Sequence, residues 1–306
     1  MLMAKLPIHT AARMTNALVD TIQLPNQPTG VELYLYRGDK EHPDAPGNKW
    51  HKLKHHLQRA LWEGYSYIAT FGGPYSNHIH AFASSCAKAG LTPLVVVRGE
   101  TAPQLTPTLK DAVAAGAILF PSLRKDYRLG LNASVKAAID QEYGRVYWVP
   151  EGGGGDLGVQ GCRDWGYEIG QRTQALGCDA WAVAAGTGTT AIGLIQAQQV
   201  ENLCIFSALQ GASVQHQQIV AQVGQGKTCL SFWDDDWNGG FGKLSDPLRQ
   251  FIEVFHELNP SVRLDPIYTG KALYKINALM GSGRWQYTRT LVIHTGGLQG
   301  WRGFNG

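Results

Sequence analysis

From about residue 67 onward the chain alternates between two kinds of apolar pattern. Short unbroken apolar runs fall at 67–71, 93–97, 117–120, 146–149, 180–184, 203–207 and 290–294. Between them lie longer stretches in which apolar residues recur three and four apart. Unbroken runs of that length predict strands buried on both faces, and the intervening period is that of amphipathic helices. Helices are predicted near 77–89 (closed by Gly90), 107–115, 133–142, 158–174, from the loop at 185–190 to about 199, and near 214–223, 247–258 and 270–280. Upstream, residues 31–36 (Val-Glu-Leu-Tyr-Leu-Tyr) alternate as a strand, and Leu53, Leu57, Ala60 and Leu61 set a helix over about 48–63. Strands alternating with helices place the chain in the α/β class, with parallel sheet covered on both faces. Residues 1–30 read as irregular and 224–245 as loop-rich. The run Glu151-Gly152-Gly153-Gly154-Gly155-Asp156 is the clearest punctuation and a candidate crossing between domains.

Composition narrows the function classes. The 306 residues are 44% hydrophobic and 17% charged, which is globular, and the net charge of +3 is too small for nucleic acid but suits a small anionic substrate. Five cysteines, an odd number without metal-ligand spacing, read as reduced core thiols. Asp234-Asp235-Asp236 has no His or Cys partner nearby and reads as a solvated loop, so no metal is expected. No apolar leader opens the chain and no run approaches the ~18 residues of a membrane span, so the expectation is a cytoplasmic protein that contacts no membrane.

Three stretches carry candidate chemistry. Gly47-Asn48-Lys49-Trp50-His51-Lys52 reads as a loop entering a helix, which puts Lys49 in the first turn, where the helix already carries partial positive charge. A desolvated lysine there has a lowered pKa and can form a Schiff base with a carbonyl; the plain alternative is a solvated surface lysine. The loop Gly186-Thr187-Gly188-Thr189-Thr190, between a buried strand and a helix, offers glycine backbone, hydroxyls and a helix N-terminus to a phosphate. It lacks the Lys-Ser/Thr of a nucleotide P-loop, and a plain tight turn explains it equally well. In Gly72-Gly73-Pro74-Tyr75-Ser76-Asn77-His78, Ser76 is either a helix N-cap or, with Asn77 and His78, part of a cradle for a substrate carboxylate. A carbonyl-reactive lysine and a phosphate loop on one α/β chain together imply pyridoxal 5′-phosphate.

The motifs also resemble a known family in their order. Gly47-Asn48-Lys49-x-x-Lys52-Leu53, the Ser76-Asn77-His78 triplet, the 186–190 loop, Asp265-Pro266-Ile267-Tyr268-Thr269-Gly270-Lys271 and His294-Thr295-Gly296-Gly297 resemble the 1-aminocyclopropane-1-carboxylate (ACC) deaminase/D-cysteine desulfhydrase family. The resemblance runs from about Val31 to Gly297. It implies pyridoxal-phosphate fold type II: two domains, each with a mainly parallel twisted sheet covered by helices. Residues 1–50 plus 151–306 would form the larger, cofactor-binding domain, with 51–150 as a smaller α/β domain inserted in it. It further implies that Lys49 holds the cofactor and carries protons, Ser76 acts over the substrate, Asn77 holds the cofactor's phenolic oxygen, and Lys52 with 186–190 binds phosphate. Tyr268 would face the reacting carbon and Thr269 the pyridine nitrogen. A small amino acid is the implied substrate and a homodimer the implied assembly.

Within the family, Thr269 discriminates. ACC deaminases carry Tyr-Glu where this chain has Tyr268-Thr269. A neutral hydroxyl leaves the pyridine ring a weaker electron sink than a glutamate does, which favours loss of a good leaving group over cyclopropane opening. The reading is therefore D-cysteine desulfhydrase-like, with ACC deamination, or a cofactor-binding protein of low turnover, as alternatives. The chain departs from the family at Phe241, where a tyrosine is expected, at Tyr75, and in the tail Leu298-Gln299-Gly300-Trp301. A dinucleotide site is disfavoured because no acidic residue follows 186–190 at the expected distance.

Overall fold

The computed structural model describes residues 18–101, 104–209, 211–223, 227–233 and 242–304. Asp234–Asp236 and Phe241 lie outside these residues.

Two separate sheets organise the chain. The smaller is formed by β3 (Tyr67–Gly72), β4 (Thr92–Arg98), β5 (Ile118–Ser122) and β6 (Val146–Val149), all parallel, in the order β5-β4-β3-β6. Successive residues of β4 feed opposite cores. Val95 and Val97 pack with Leu53, Leu57, Ile79 and Phe82, from α1 (Asn48–Trp62) and α2 (Asn77–Lys88). Leu94 and Val96 pack with Tyr127 and Ile139, from α4 (Arg124–Tyr127) and α5 (Ser134–Tyr143). The unbroken apolar run is thus a strand with no solvent face.

The larger sheet has six strands in the order β1-β2-β10-β7-β8-β9. It joins β1 (Val19–Ile22) and β2 (Glu32–Tyr36) to β7 (Ala180–Ala185), β8 (Asn202–Ser207), β9 (Cys229–Trp233) and β10 (Arg289–Ile293). β7 divides as β4 does: Ala182 and Ala184 face α9 (Asp246–Leu258) and α10 (Thr269–Gly281). Trp181 and Val183 face α6 (Gly155–Thr173) and α7 (Thr189–Ala197). The small Ala182 and Ala184 let α9 and α10 approach closely on their side. The fold is α/β with parallel sheets covered by helices, as the pattern predicts.

Two strands correct the reading of the pattern. β1 lies in the stretch read as irregular, and β9 in the stretch read as loop. Both are short edge strands, and β1, Val-Asp-Thr-Ile, is the sheet's antiparallel member. An edge strand keeps one side in water and needs no long apolar run. Asp20 of β1 pairs with buried Arg37, which also pairs with Asp39. No described helix is long and apolar enough to cross a membrane.

Candidate active site

Lys49 owes its place to a meeting of two loops. Gly47 has φ +74°, and a Cβ there would collide with the Thr295 carbonyl beyond β10. Only glycine allows the chain to turn there against that backbone. The Asn48 N–H donates to the Thr295 oxygen at 3.2 Å, and α1 then begins, with no acidic residue in its first turn. Lys49 Nζ donates to Asn48 Oδ1 at 2.9 Å, while Asn48 Nδ2 donates to Thr190 Oγ1 at 2.9 Å. Asn48 thus ties the amine to the glycine–threonine turn. Burial, and then the neighbouring Lys52 cation, lower the Lys49 pKa to about 7. Lys52, 3% exposed, lies one turn on and reaches Thr187 Oγ1 at 3.5 Å; burial lowers its pKa too.

The turn at 186–190 links β7 to α7, with Gly188 left-handed at φ +83° as the N-cap. Thr189 and Thr190 are buried, and the Thr187 and Thr189 hydroxyls lie 3.2 Å apart. The Gly186 carbonyl accepts from Gln215 Nε2. Facing this turn are Gly152 and Gly153. A Cβ on Gly152 would sit 3.2 Å from Thr187 Cγ2, and one on Gly153 would sit 2.9 Å from Lys52 Cβ and 3.7 Å from His78 Nδ1. The glycine run read as a domain crossing is therefore also a wall of the site. Its signal was present in the sequence, since a simple crossing does not need four glycines.

At the mouth of α2, Ser76 takes extended backbone (φ −71°, ψ 122°) and its Oγ accepts from the His78 N–H at 3.2 Å. It is an N-cap, and its own proton stays available to donate. The Asn77 amide lies against Gly297 (φ +92°), where a Cβ would stand 2.6 Å from Asn77 Nδ2. His78 turns inward instead, only 2% exposed. Thr70 Oγ1 donates to the Val149 carbonyl at 3.0 Å, so at its 2.8 Å contact with His78 Nε2 it accepts. That fixes the neutral Nε2–H tautomer and leaves Nδ1 as a buried lone pair without a partner among the described residues. Burial and the Lys49 and Lys52 charges hold the ring well below its ordinary pKa.

α10 completes the site. The Asp265 carboxylate accepts from the N–H groups of Ile267 (3.0 Å), Tyr268 (2.6 Å) and Thr269 (2.8 Å), which caps the helix and aims Tyr268. Lys49 Nζ is 6.0 Å from the Tyr268 ring centroid, and a Cβ on Gly186 would be 3.2 Å from its edge. Burial and the carboxylates of Asp265 and Glu151 keep the phenol protonated. Thr269 is 1% exposed, and its Oγ1 has no hydrogen-bond partner among the described residues. An orphaned buried hydroxyl costs roughly 1–3 kcal/mol unless something else meets it. The tail from Leu298 to Gly303 forms a 3-10 helix; Trp301 Nε1 donates to the Leu264 carbonyl at 2.7 Å, and Gly303 rests on the Tyr75 ring. Sequence alone assigns no site role to Asn48, Gly152, Gly153 and Thr70, whose partners are distant in sequence, nor to Asp265, whose role as a local cap for the Tyr268 turn shows only once that turn is folded.

No family model matches the chain. A putative ACC deaminase of Pyrococcus abyssi is 26% identical over 289 residues, spanning 89% of this chain and 86% of that one. A D-cysteine desulfhydrase of Salmonella paratyphi B is 29% identical over 293 residues, spanning 88% and 87%. Among solved structures, an ACC deaminase homologue superimposes with a TM-score of 0.80 at 25% identity, over 92% of this chain and 89% of that one. The serine racemase of Dictyostelium discoideum superimposes with a TM-score of 0.65 at 16% identity, covering 91% of each, which is a likeness of fold. This chain is thus a relative, over most of its length, of proteins named ACC deaminase and D-cysteine desulfhydrase, built on the fold they share with serine racemase.

Proposed function

We propose that this chain is a pyridoxal-phosphate-dependent lyase that removes the β-substituent of a small D-amino acid, as a D-cysteine desulfhydrase does. The observation that carries the reading is the amine of Lys49, with a pKa of about 7, tied through Asn48 to a turn of buried threonine hydroxyls. An amine with a substantial neutral fraction at neutral pH suits an aldehyde, and the turn suits a phosphate. The orphaned Thr269 hydroxyl fits the ring nitrogen, and Asn77 the phenolic oxygen. Bound there, pyridoxal phosphate supplies an electron sink for the carbanion at the substrate's α-carbon.

The chain's own groups divide the remaining work. Lys52, Thr187, Thr189, Thr190 and the N-terminus of α7 hold the dianion. Ser76 and the N-terminus of α2 meet the substrate carboxylate, with Asn77 beside them. Lys49, neutral and charged in comparable amounts near pH 7, moves the α-proton, while Tyr268 stays a proton donor facing Gly186. With D-cysteine the sum is D-cysteine plus water giving pyruvate, ammonia and hydrogen sulfide. A neutral Thr269 in place of a carboxylate supports this elimination over cyclopropane opening. We further infer that the two sheets correspond to domains 1–50 plus 151–306 and 51–150, and that the chain works in the cytoplasm as a homodimer, closed two-fold assemblies being the commonest.

The test is a panel of D-cysteine, L-cysteine, D-serine and ACC offered to the purified protein while the cofactor spectrum and keto-acid products are followed. Pyruvate and sulfide from D-cysteine are expected. Production of 2-oxobutyrate from ACC with no pyruvate from D-cysteine reverses the assignment, and a spectral response with no product leaves a cofactor-binding protein.

A further inference from the structure

One charge at the rim of the cleft is unused by this mechanism. Arg98 ends β4 at the carboxyl edge of the small sheet, where Gly72 of β3 pairs with Val97 and the chain enters the Ser76 turn. In open parallel sheets that edge is where ligands bind. A Cβ on Gly73 would lie 3.2 Å from Arg98 Nη2 and 3.7 Å from its Cζ, so the guanidinium rests on the backbone of the substrate turn. Ser76 N–H donates to the Gly73 carbonyl at 3.0 Å, so the backbone on which the guanidinium rests opens the β-turn that closes at the N-cap. On its other side Arg98 Cζ is 5.9 Å from the Tyr127 ring centroid, and Tyr127 donates to Glu151 Oε1 at 2.6 Å. Glu151 opens the glycine run that faces Thr187 and Lys52. Arg98 is exposed and pairs with no carboxylate among the described residues.

The α-carboxylate of an amino acid is already met by the Ser76 turn, and the cofactor's phosphate by Lys52 and the 186–190 turn. A third anion-binding group remains, on the open side. We propose that Arg98 recognises a second, distal carboxylate on the substrate, so that the preferred substrate is an acidic β-substituted D-amino acid whose leaving group carries the carboxylate. A planar fork suits a carboxylate in two-point contact, and stacking near Tyr127 orients it. The inference rests on the proposed lyase reading for the α-carboxylate position.

Two measurements separate the claims. Binding to the cofactor-loaded protein is followed by calorimetry for D-aspartate against D-asparagine and D-glutamate against D-glutamine, which needs no turnover. Turnover is followed as pyruvate from S-carboxymethyl-D-cysteine against S-methyl-D-cysteine. In the natural chain at least one acidic amino acid should bind roughly ten- to a hundredfold more tightly than its amide, as expected for a charged hydrogen-bonded pair. S-carboxymethyl-D-cysteine should show a comparable preference in kcat/KM. In Arg98→Met both ratios should fall to near one, and in Arg98→Lys to an intermediate value. Equal ratios in the natural chain and Arg98→Met overturn the proposal. So does a uniform loss of binding for acid and amide alike, which makes Arg98 an α-carboxylate or structural group. Discrimination in binding without pyruvate from any substrate sinks the lyase reading and leaves Arg98 as the distal anchor.

Discussion

Two strand–turn–helix units face the same cleft and are built for different guests. Both follow a buried parallel strand, β7 or β3, and both present a helix N-terminus, that of α7 or α2. At α7 the hydroxyls of Thr189 and Thr190 are buried, Gly188 caps the helix in left-handed geometry, and Asn48 and Lys52 reach in from α1. At α2 the cap is Ser76, Ser76 and Asn77 stay partly exposed, and Tyr75 beside them is 50% exposed. Thr187 at the lip of this turn is exposed, but a site most of whose polar groups are buried suits a group that stays bound, because each departure leaves them unpaired. A site that water can re-solvate suits a molecule that comes and goes. On the proposed reading, the α7 unit would be the cofactor's side of the cleft and the α2 unit the substrate's.

Removing the amine between them breaks both sides at once. Lys49→Ala is expected to lose the yellow colour of the loaded protein and to lower kcat on the order of 10³-fold or more. A variant that keeps the colour and turns over removes the basis of the comparison. Lys52→Met should strike the α7 side first, weakening cofactor affinity roughly ten- to a hundredfold by equilibrium dialysis. It should also move a titration. Attack on an aldehyde needs the neutral amine, so cofactor capture by the natural chain should rise with pH through about 7 and then level off. The Lys52 charge is the second cause of the low Lys49 pKa, so without it the rising limb should shift to higher pH. Stopped-flow capture rates from about pH 5 to the unperturbed Lys value of about 10.4 read the shift, and an unchanged midpoint contradicts the assigned electrostatics.

Thr269→Val sharpens the contrast by separating stability from function. The hydroxyl is buried without a partner among the described residues, so an isosteric apolar side chain should leave the cofactor-free chain equally stable or raise its Tm by about 2 °C. The loaded enzyme should lose kcat. A fall in the Tm of the cofactor-free chain shows that the hydroxyl serves the fold instead.

Much of this was legible in the sequence because it is local. Strands such as 93–97 are unbroken runs, and Lys49, Ser76 and the 186–190 turn sit at loop–helix junctions that any reader of caps and glycines would mark. What stayed hidden depends on contacts across the chain. β1 and β9 are recognised as strands only by the edges they pair with. Asn48 acquires a role only when Thr190, 142 residues away, accepts its hydrogen bond. The inward turn of His78 depends on Thr70 and Val149, and the second use of the glycine run on Lys52 packing against it. Spacing along one chain carries no record of these meetings.

The smallest effect belongs to the cap at α2, and it tests whether Ser76 does anything besides capping. Its Oγ accepts from the His78 N–H, a bond worth about 1 kcal/mol when serine becomes alanine and only a few tenths when it becomes glycine, which leaves the backbone open to water. Ser76→Ala and Ser76→Gly should therefore differ in stability, with alanine the worse, as read by urea unfolding of each. Both lack the hydroxyl equally. If that hydroxyl meets the substrate, the two variants should lose kcat/KM for D-cysteine by the same factor while keeping full cofactor colour. If activity instead follows stability, with glycine nearly natural and alanine impaired, Ser76 is a cap only, and the substrate's side of the cleft rests on Asn77 and the helix end.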